Sequence, residues 1–338
     1  PMAAGPDPTV TDPGLPAPAP LVPGRPGRVS GRYRSGVAPG SGLHIELRID
    51  IDGDRPLGMA SGDVLHGAER GWLASFRLVA PVIERGGGLV RLSGHADWSQ
   101  PVANRRITIT VPEGCAETGG SAILGFAGDD GAVAVSWGCA FIAAAFRTIR
   151  VESDRVAGDH LAPDYHDLVD GQRWTVAAAY AAAGLELLPG REEAVISIAG
   201  AGADDVWDDA ELASAMATHR RLESRDSDWA VYLLSAGRHR DPRTRGLMFD
   251  LAHRRGCAVF NEAISVEDGG NPLWPVRLRT HVHELGHCLN LVHPADKGTG
   301  RRRGQSRTAT ASWMNMPHEY RAGSARGVSA YWQAFEYA

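Results

Sequence analysis

One run of residues restricts this chain more than any other: His283-Glu284-Leu285-Gly286-His287-Cys288-Leu289-Asn290-Leu291-Val292-His293. On a helix, His283 and His287 differ by only about 40° in direction, so both imidazoles can grip one ion. Glu284, beside the first of them, can reach a water held at that ion without being a ligand itself. His293 does not fit the same helix. Beyond His287, a continued helix would turn it roughly 240° away from the other two histidines. The helix must therefore end before His293. The spacing predicts the break at Asn290, because asparagine tolerates the left-handed conformation that closes helices. Three neutral imidazoles with a fourth position left open suit a catalytic zinc ion better than a structural one. The competing reading is a buried amphipathic helix whose histidines are only hydrogen-bonded.

A second signal follows at Ser312-Trp313-Met314-Asn315-Met316-Pro317. HExxHxx(G/N)xxH followed by a tight S-x-M-N-x-P turn resembles the metzincin clan of zinc metallopeptidases, with Asn290 at the clan's usual glycine. The resemblance implies that Met314 lies beneath the metal as an apolar floor. It implies one catalytic Zn²⁺ on His283, His287 and His293, with Glu284 as general base and then general acid in peptide-bond hydrolysis. It also implies that the last strand before the zinc helix is an exposed edge that pairs with extended substrate. Cys257, Ala258, Val259 and Phe260 fall in that stretch, and Pro317–Tyr320 would wall the neighbouring pocket, with Tyr320 as a substrate contact. Some members carry a tyrosine ligand two residues after the turn methionine. Met316 stands there instead.

Organisation along the chain predicts a multidomain protein. Residues 1–40 are rich in Pro, Ala and Gly and read as a tail or linker. From Leu43 the pattern changes: Leu43, Ile45, Leu47, Ile49 and Ile51 alternate with polar residues, marking a half-buried strand. Trp72–Leu78 and Ile107–Val111 repeat that period, and Ala132–Phe146 reads as strand with both faces buried. Residues 41–147 are thus expected to form an all-β sandwich or barrel-like accessory domain. Residues 148–338 are expected to form an α/β (α+β) metzincin-like zinc peptidase domain. In it, helices are expected at Gln172–Ala183, Glu211–Arg221, Arg277–Leu289 and Ser329–Tyr337. Strands are expected at Thr148–Val151, Ala194–Ile198, Trp229–Leu234 and Gly256–Ala263.

Composition excludes some classes. A net charge of -5 argues against a nucleic-acid partner. No run reaches the ~18 apolar residues needed to cross a bilayer. The chain shows no basic-then-apolar leader. Arginine supplies nearly all the positive charge, Lys297 being the one lysine, and with abundant Ala and Gly this suggests a GC-rich bacterial source. An exported setting is favoured over the cytoplasm. Cys115, Cys139, Cys257 and Cys288 are compatible with two disulfides or with four buried thiols, and no CxxC pair offers a cysteine zinc site.

Several features have plainer readings. Asp50-Ile51-Asp52-Gly53-Asp54 resembles the start of a calcium loop, but Ser61 stands where the closing glutamate belongs, so a hairpin turn is expected. Arg301-Arg302-Arg303 with Arg307 reads as a solvated loop. His281 is expected to point away from the metal, and His318 is a weaker ligand than His293.

The leading expectation is a zinc-dependent endopeptidase acting on a peptide or protein substrate. The alternative is a partner-binding β-domain protein carrying an inactive or self-inhibited zincin domain; a third reading makes residues 1–150 an inhibitory pro-region, with Cys115 or an aspartate blocking the zinc.

Overall fold

The computed structural model describes residues 27–53, 56–67, 71–102, 105–128, 133–159, 165–166, 173–190, 193–222, 229–264, 273–294, 312–322, 324–327 and 330. Its first layer comprises β1 (Gly31–Ser35), β2 (Leu43–Asp50), β3 (Met59–His66), β4 (Gly71–Val79), β5 (Val82–Gly86), β6 (Leu89–His95), β7 (Asp97–Trp98), β8 (Arg106–Pro112), β9 (Ser121–Ala127) and β10 (Val133–Ala143). They make one sheet in the order β5-β6-β8-β9-β10-β1-β2-β3-β4-β7, antiparallel throughout. The period-two pattern explains why. Ile45, Leu47 and Ile49 point one way and are at most 1% exposed, as are Val90, Ile107, Ile109 and Leu124 on other strands. Burying each such side chain contributes about 1.5–3 kcal/mol. The sheet curls on itself: Phe76 of β4 meets Phe126 of β9 edge-on at 5.7 Å, although four strands separate them along the sheet.

The second layer contains β11 (Arg147–Val156), β14 (Leu185–Pro189), β15 (Ala194–Ile196), β16 (Trp229–Ala236), β17 (Gly246–Met248) and β18 (Gly256–Phe260). Between them, β12 (Tyr165–His166) and β13 (Arg173–Trp174) pair with each other. The main order is β14-β11-β16-β18-β17, with β15 also on β11. Every pairing is parallel except that of β17 with β18. The helices are α1 (Cys115–Thr118), in the first layer, and α2 (Val176–Ala182), α3 (Asp209–His219), α4 (Asn261–Ile264) and α5 (Leu273–Cys288). Thr175 caps α2, and Asp208 with Glu211 forms a reciprocal capping box on α3. One core packs α2 and α5 on one face of this sheet, and a second packs α3 on the other.

The expected fold class, an all-β domain followed by an α/β (α+β) metzincin-like domain, is corrected. Among the described residues the protein is mostly β, 45% strand against 22% helix, and the ten-stranded curled antiparallel sheet dominates. The second half places its longest apolar runs in strands: β16 and β18 are almost wholly buried. The Ala-rich stretch expected to be a helix over Gln172–Ala183 yields only the seven residues of α2. Two further expectations shift. β1 lies inside the stretch read as a tail, and it joins β10 to β2. β10 is one long strand with Val133, Val135 and Ile142 exposed, not a segment buried on both faces. Residues 51–53 bend away at the end of β2, which pairs with β3 as a hairpin, and the Asp52 carboxylate accepts hydrogen bonds from the Val29 and Ser30 amides, a structural role. Arg301–Arg303, Arg307, Asp54 and all of Ser329–Tyr337 except Ala330 lie outside the described residues. Among the described residues, no helix is long and apolar enough to cross a membrane.

Candidate metal centre

α5 is buried almost from end to end, with Val276, Leu278, Val282 and Leu285 at most 5% exposed. Tyr180 of α2 donates a hydrogen bond to the Val282 carbonyl at 2.9 Å, fastening the two helices together. The helix stops where its sequence predicts. Asn290 adopts φ 64°, its N–H donates to the His287 carbonyl at 3.1 Å, and the Leu291 N–H donates to the Gly286 carbonyl at 3.0 Å. That pair of bonds is a Schellman closure, with Asn290 in the left-handed position. The chain then reverses and brings His293 back over the helix.

The three imidazoles converge. His283 Nε2 lies 3.0 Å from His293 Nε2 and 3.1 Å from His287 Nε2. Tetrahedral zinc with Zn–N bonds of about 2.0–2.1 Å would set its nitrogens about 3.3 Å apart; the two spacings from His283 come close to that, and all three donor atoms lie within 4.8 Å of one another. The far sides of two rings are fixed. His283 Nδ1 bonds the Trp313 carbonyl and His287 Nδ1 the Leu291 carbonyl, each at 2.8 Å. A carbonyl can only accept, so Nδ1 carries the proton and Nε2 presents its lone pair to the site. Burial pushes the His283 pKa down to about 2, helped by the nearby Arg279 charge, and burial lowers that of His287 as well. Both rings are therefore neutral, the form that binds metal, at neutral pH.

Glu284 is 7% exposed. Burial pushes its carboxyl up to about 8, while Arg279 pulls the other way. Its side chain lies along the backbone of β17: a Cβ added at Gly246 would sit 2.5 Å from Glu284 Cγ. Met314 is buried against the helix. A Cβ at Gly286 would meet its sulfur at 2.5 Å, so only glycine leaves room for the methionine at that turn. The 312–317 segment thus reaches the site twice, through the Trp313 carbonyl and through Met314.

Arg279 was not singled out by its sequence position, where it is one arginine among many. It is 6% exposed, donates a short hydrogen bond to the Asn315 carbonyl, and lies 3.3 Å from His283 Nδ1. It ties the methionine turn to the helix that carries the histidines. His281 is fully buried, and its Nδ1 bonds the Arg277 carbonyl away from the triad. His318 is exposed. All four cysteines are free and buried, Cys257 and Cys288 within the core between β18 and α5.

The substrate strand needs correction. Cys257, Ala258, Val259 and Phe260 are 0% exposed, because β18 is paired on both sides, by β16 and by β17. The edge is β17, whose three residues Gly246-Leu247-Met248 are too few for a strand pattern to register. Tyr320 is 4% exposed, closing a short 3₁₀ turn at Pro317–Glu319 ahead of the hairpin β19 (Arg321–Ala322) and β20 (Ala325–Arg326).

Comparison of the chain with protein-family profiles, with characterised proteins and with solved structures finds no match.

Proposed function

We propose that the chain is a zinc-dependent endopeptidase, with His283, His287 and His293 as zinc ligands and Glu284 as the proton-transferring residue. The observation that carries this reading is the convergence of three Nε2 lone pairs at a helix that also carries the buried Glu284 carboxylate. The motif's likeness to metzincin peptidases supports the same reaction. Zinc, when bound, supplies Lewis acidity and makes a nucleophilic water available at neutral pH.

The chain's own residues do the rest. His283 and His287, held by their Nδ1 hydrogen bonds, keep the three-nitrogen face rigid. Glu284 takes a proton from the attacking water and returns it to the leaving amine. A carboxylate suits that exchange when its pKa lies near the working pH, and burial moves Glu284 toward that range. Among the described residues β17 pairs only with β18, so its outer edge is open to an extended peptide by strand addition. Gly246 lies directly against the Glu284 side chain, which supports a strand-added peptide passing near the base.

The test is a digest of a broad peptide library by the zinc-loaded full chain, by chain stripped with a chelator, and by stripped chain with zinc restored. Cleavage should appear, vanish and return. One bound zinc with no cleavage of any peptide would sink the peptidase reading and favour a binding protein.

A further inference from the structure

The outer face of the ten-stranded sheet carries a second cluster of charged groups, placed there by strand register. Arg32, Arg48, Ser61, Arg77 and Asp97 stand opposite one another across β1, β2, β3, β4 and β7. Arg34, Glu46, Asp63 and Ser75 form the adjacent row on the same face. Arg147 reaches this face from β11 and donates to Asp63 at 2.8 Å. A cavity of about 410 Å³ opens here, with Arg48, Asp63, Ser75, Arg77, Asp97 and Arg147 in its lining.

The cavity holds more donors than acceptors. Each guanidinium has five N–H groups and keeps its charge. Among the described residues, Arg48 and Arg147 each use one terminal nitrogen on Asp63, and Arg77 uses one on Asp97. Arg48 is 8% exposed, and its Nε is buried without a hydrogen-bond partner. Asp63 also accepts from the Ser75 hydroxyl, so three of its roughly four acceptor positions are taken. Three guanidiniums face two carboxylates, and adding the Arg34–Glu46 pair behind them makes four against three. Either way one positive charge is left over in a partly desolvated hollow.

We propose that this cavity binds a sugar-sized molecule bearing a phosphate or sulfate ester. Guanidiniums converging from β2, β4 and β11 suit a tetrahedral oxyanion, which offers an oxygen in each direction. A volume of about 410 Å³ far exceeds the ~30 Å³ share of one water, so the hollow has room for more than the bare ion. Ser61, Ser99 and Asp97 line the remainder and can pair with hydroxyl groups. The site is separate from the histidine triad and stands whether or not the chain is a peptidase.

Titration calorimetry on the full chain tests this with glucose 6-phosphate, glucose 6-sulfate and plain glucose. Either ester should bind saturably, and glucose should give no heat. Arg77 has a side chain 59% exposed, so Arg77→Glu should fold normally and weaken ester binding by about tenfold or more. Asp97→Asn should tighten it a few-fold, because it frees Arg77 and removes a like charge. Arg91→Glu makes the same change in net charge on an exposed residue outside the cavity lining and should leave affinity unchanged. No ester binding, equal losses in Arg77→Glu and Arg91→Glu, or weaker binding in Asp97→Asn would each overturn the proposal.

Discussion

Replacing Glu284 by glutamine should lower peptide hydrolysis by about a hundredfold to ten-thousandfold while leaving one zinc per chain. The two side chains match in shape, and the carboxyl is buried against Gly246, so the variant keeps its packing. What it cannot do is accept and return a proton. The measurement is initial rate on a cleaved library peptide together with zinc content of the same sample. Undiminished hydrolysis would exclude Glu284 as the base. Loss of zinc with loss of activity would mean that the carboxylate supports the metal site instead.

Removing a ligand should act on the fold as well as on the metal. His283→Ala should lose the stoichiometric zinc, and with it the stabilisation that binding confers on the native state. At a thousandfold excess of zinc over its dissociation constant, that stabilisation is about 4 kcal/mol, or roughly 10 °C in midpoint for a unit of this size. The parent chain should therefore melt about that much higher with zinc than with a chelator, and His283→Ala should melt alike in both. A midpoint in the parent chain that ignores zinc would contradict the site. The test is sharp because His283 anchors two structures: its Nδ1 bonds Trp313 and its Nε2 faces His293.

The convergence of the three histidines was legible in the sequence because its geometry is local. Two histidines one helical turn apart, an asparagine able to take φ 64° and a third histidine beyond it define the arrangement almost without outside help. Elements fixed by distant partners were not legible. β1 looks like part of a Pro- and Gly-rich tail because Arg32 and Arg34 mask the alternation around Tyr33, and only pairing with β10 and β2 makes it a strand. β18 reads equally well as an edge or an interior strand, since a short apolar run does not say what lies beside it. β17 covers it. The exposure of β10 has the same cause, because its apolar residues promise burial that no described neighbour supplies. Fold class failed on weight, not on these runs: the apolar stretches at 229–234 and 256–263 are strands as expected, but the ten-stranded curled antiparallel sheet dominates, and β14 and β17 were not read at all. Arg279 illustrates the limit for function. Nothing in its surroundings along the chain separates it from other arginines, yet it ends buried between His283 and the Asn315 carbonyl.

The most direct test of the central claim is the zinc X-ray absorption spectrum of the loaded chain. Three imidazole nitrogens and one oxygen at about 2.0–2.1 Å are expected, the oxygen marking the open fourth position. A sulfur shell near 2.3 Å, from Cys288 or another thiol, would make the site a closed structural one. That result, or the absence of bound zinc, would contradict the catalytic centre proposed for His283, His287 and His293.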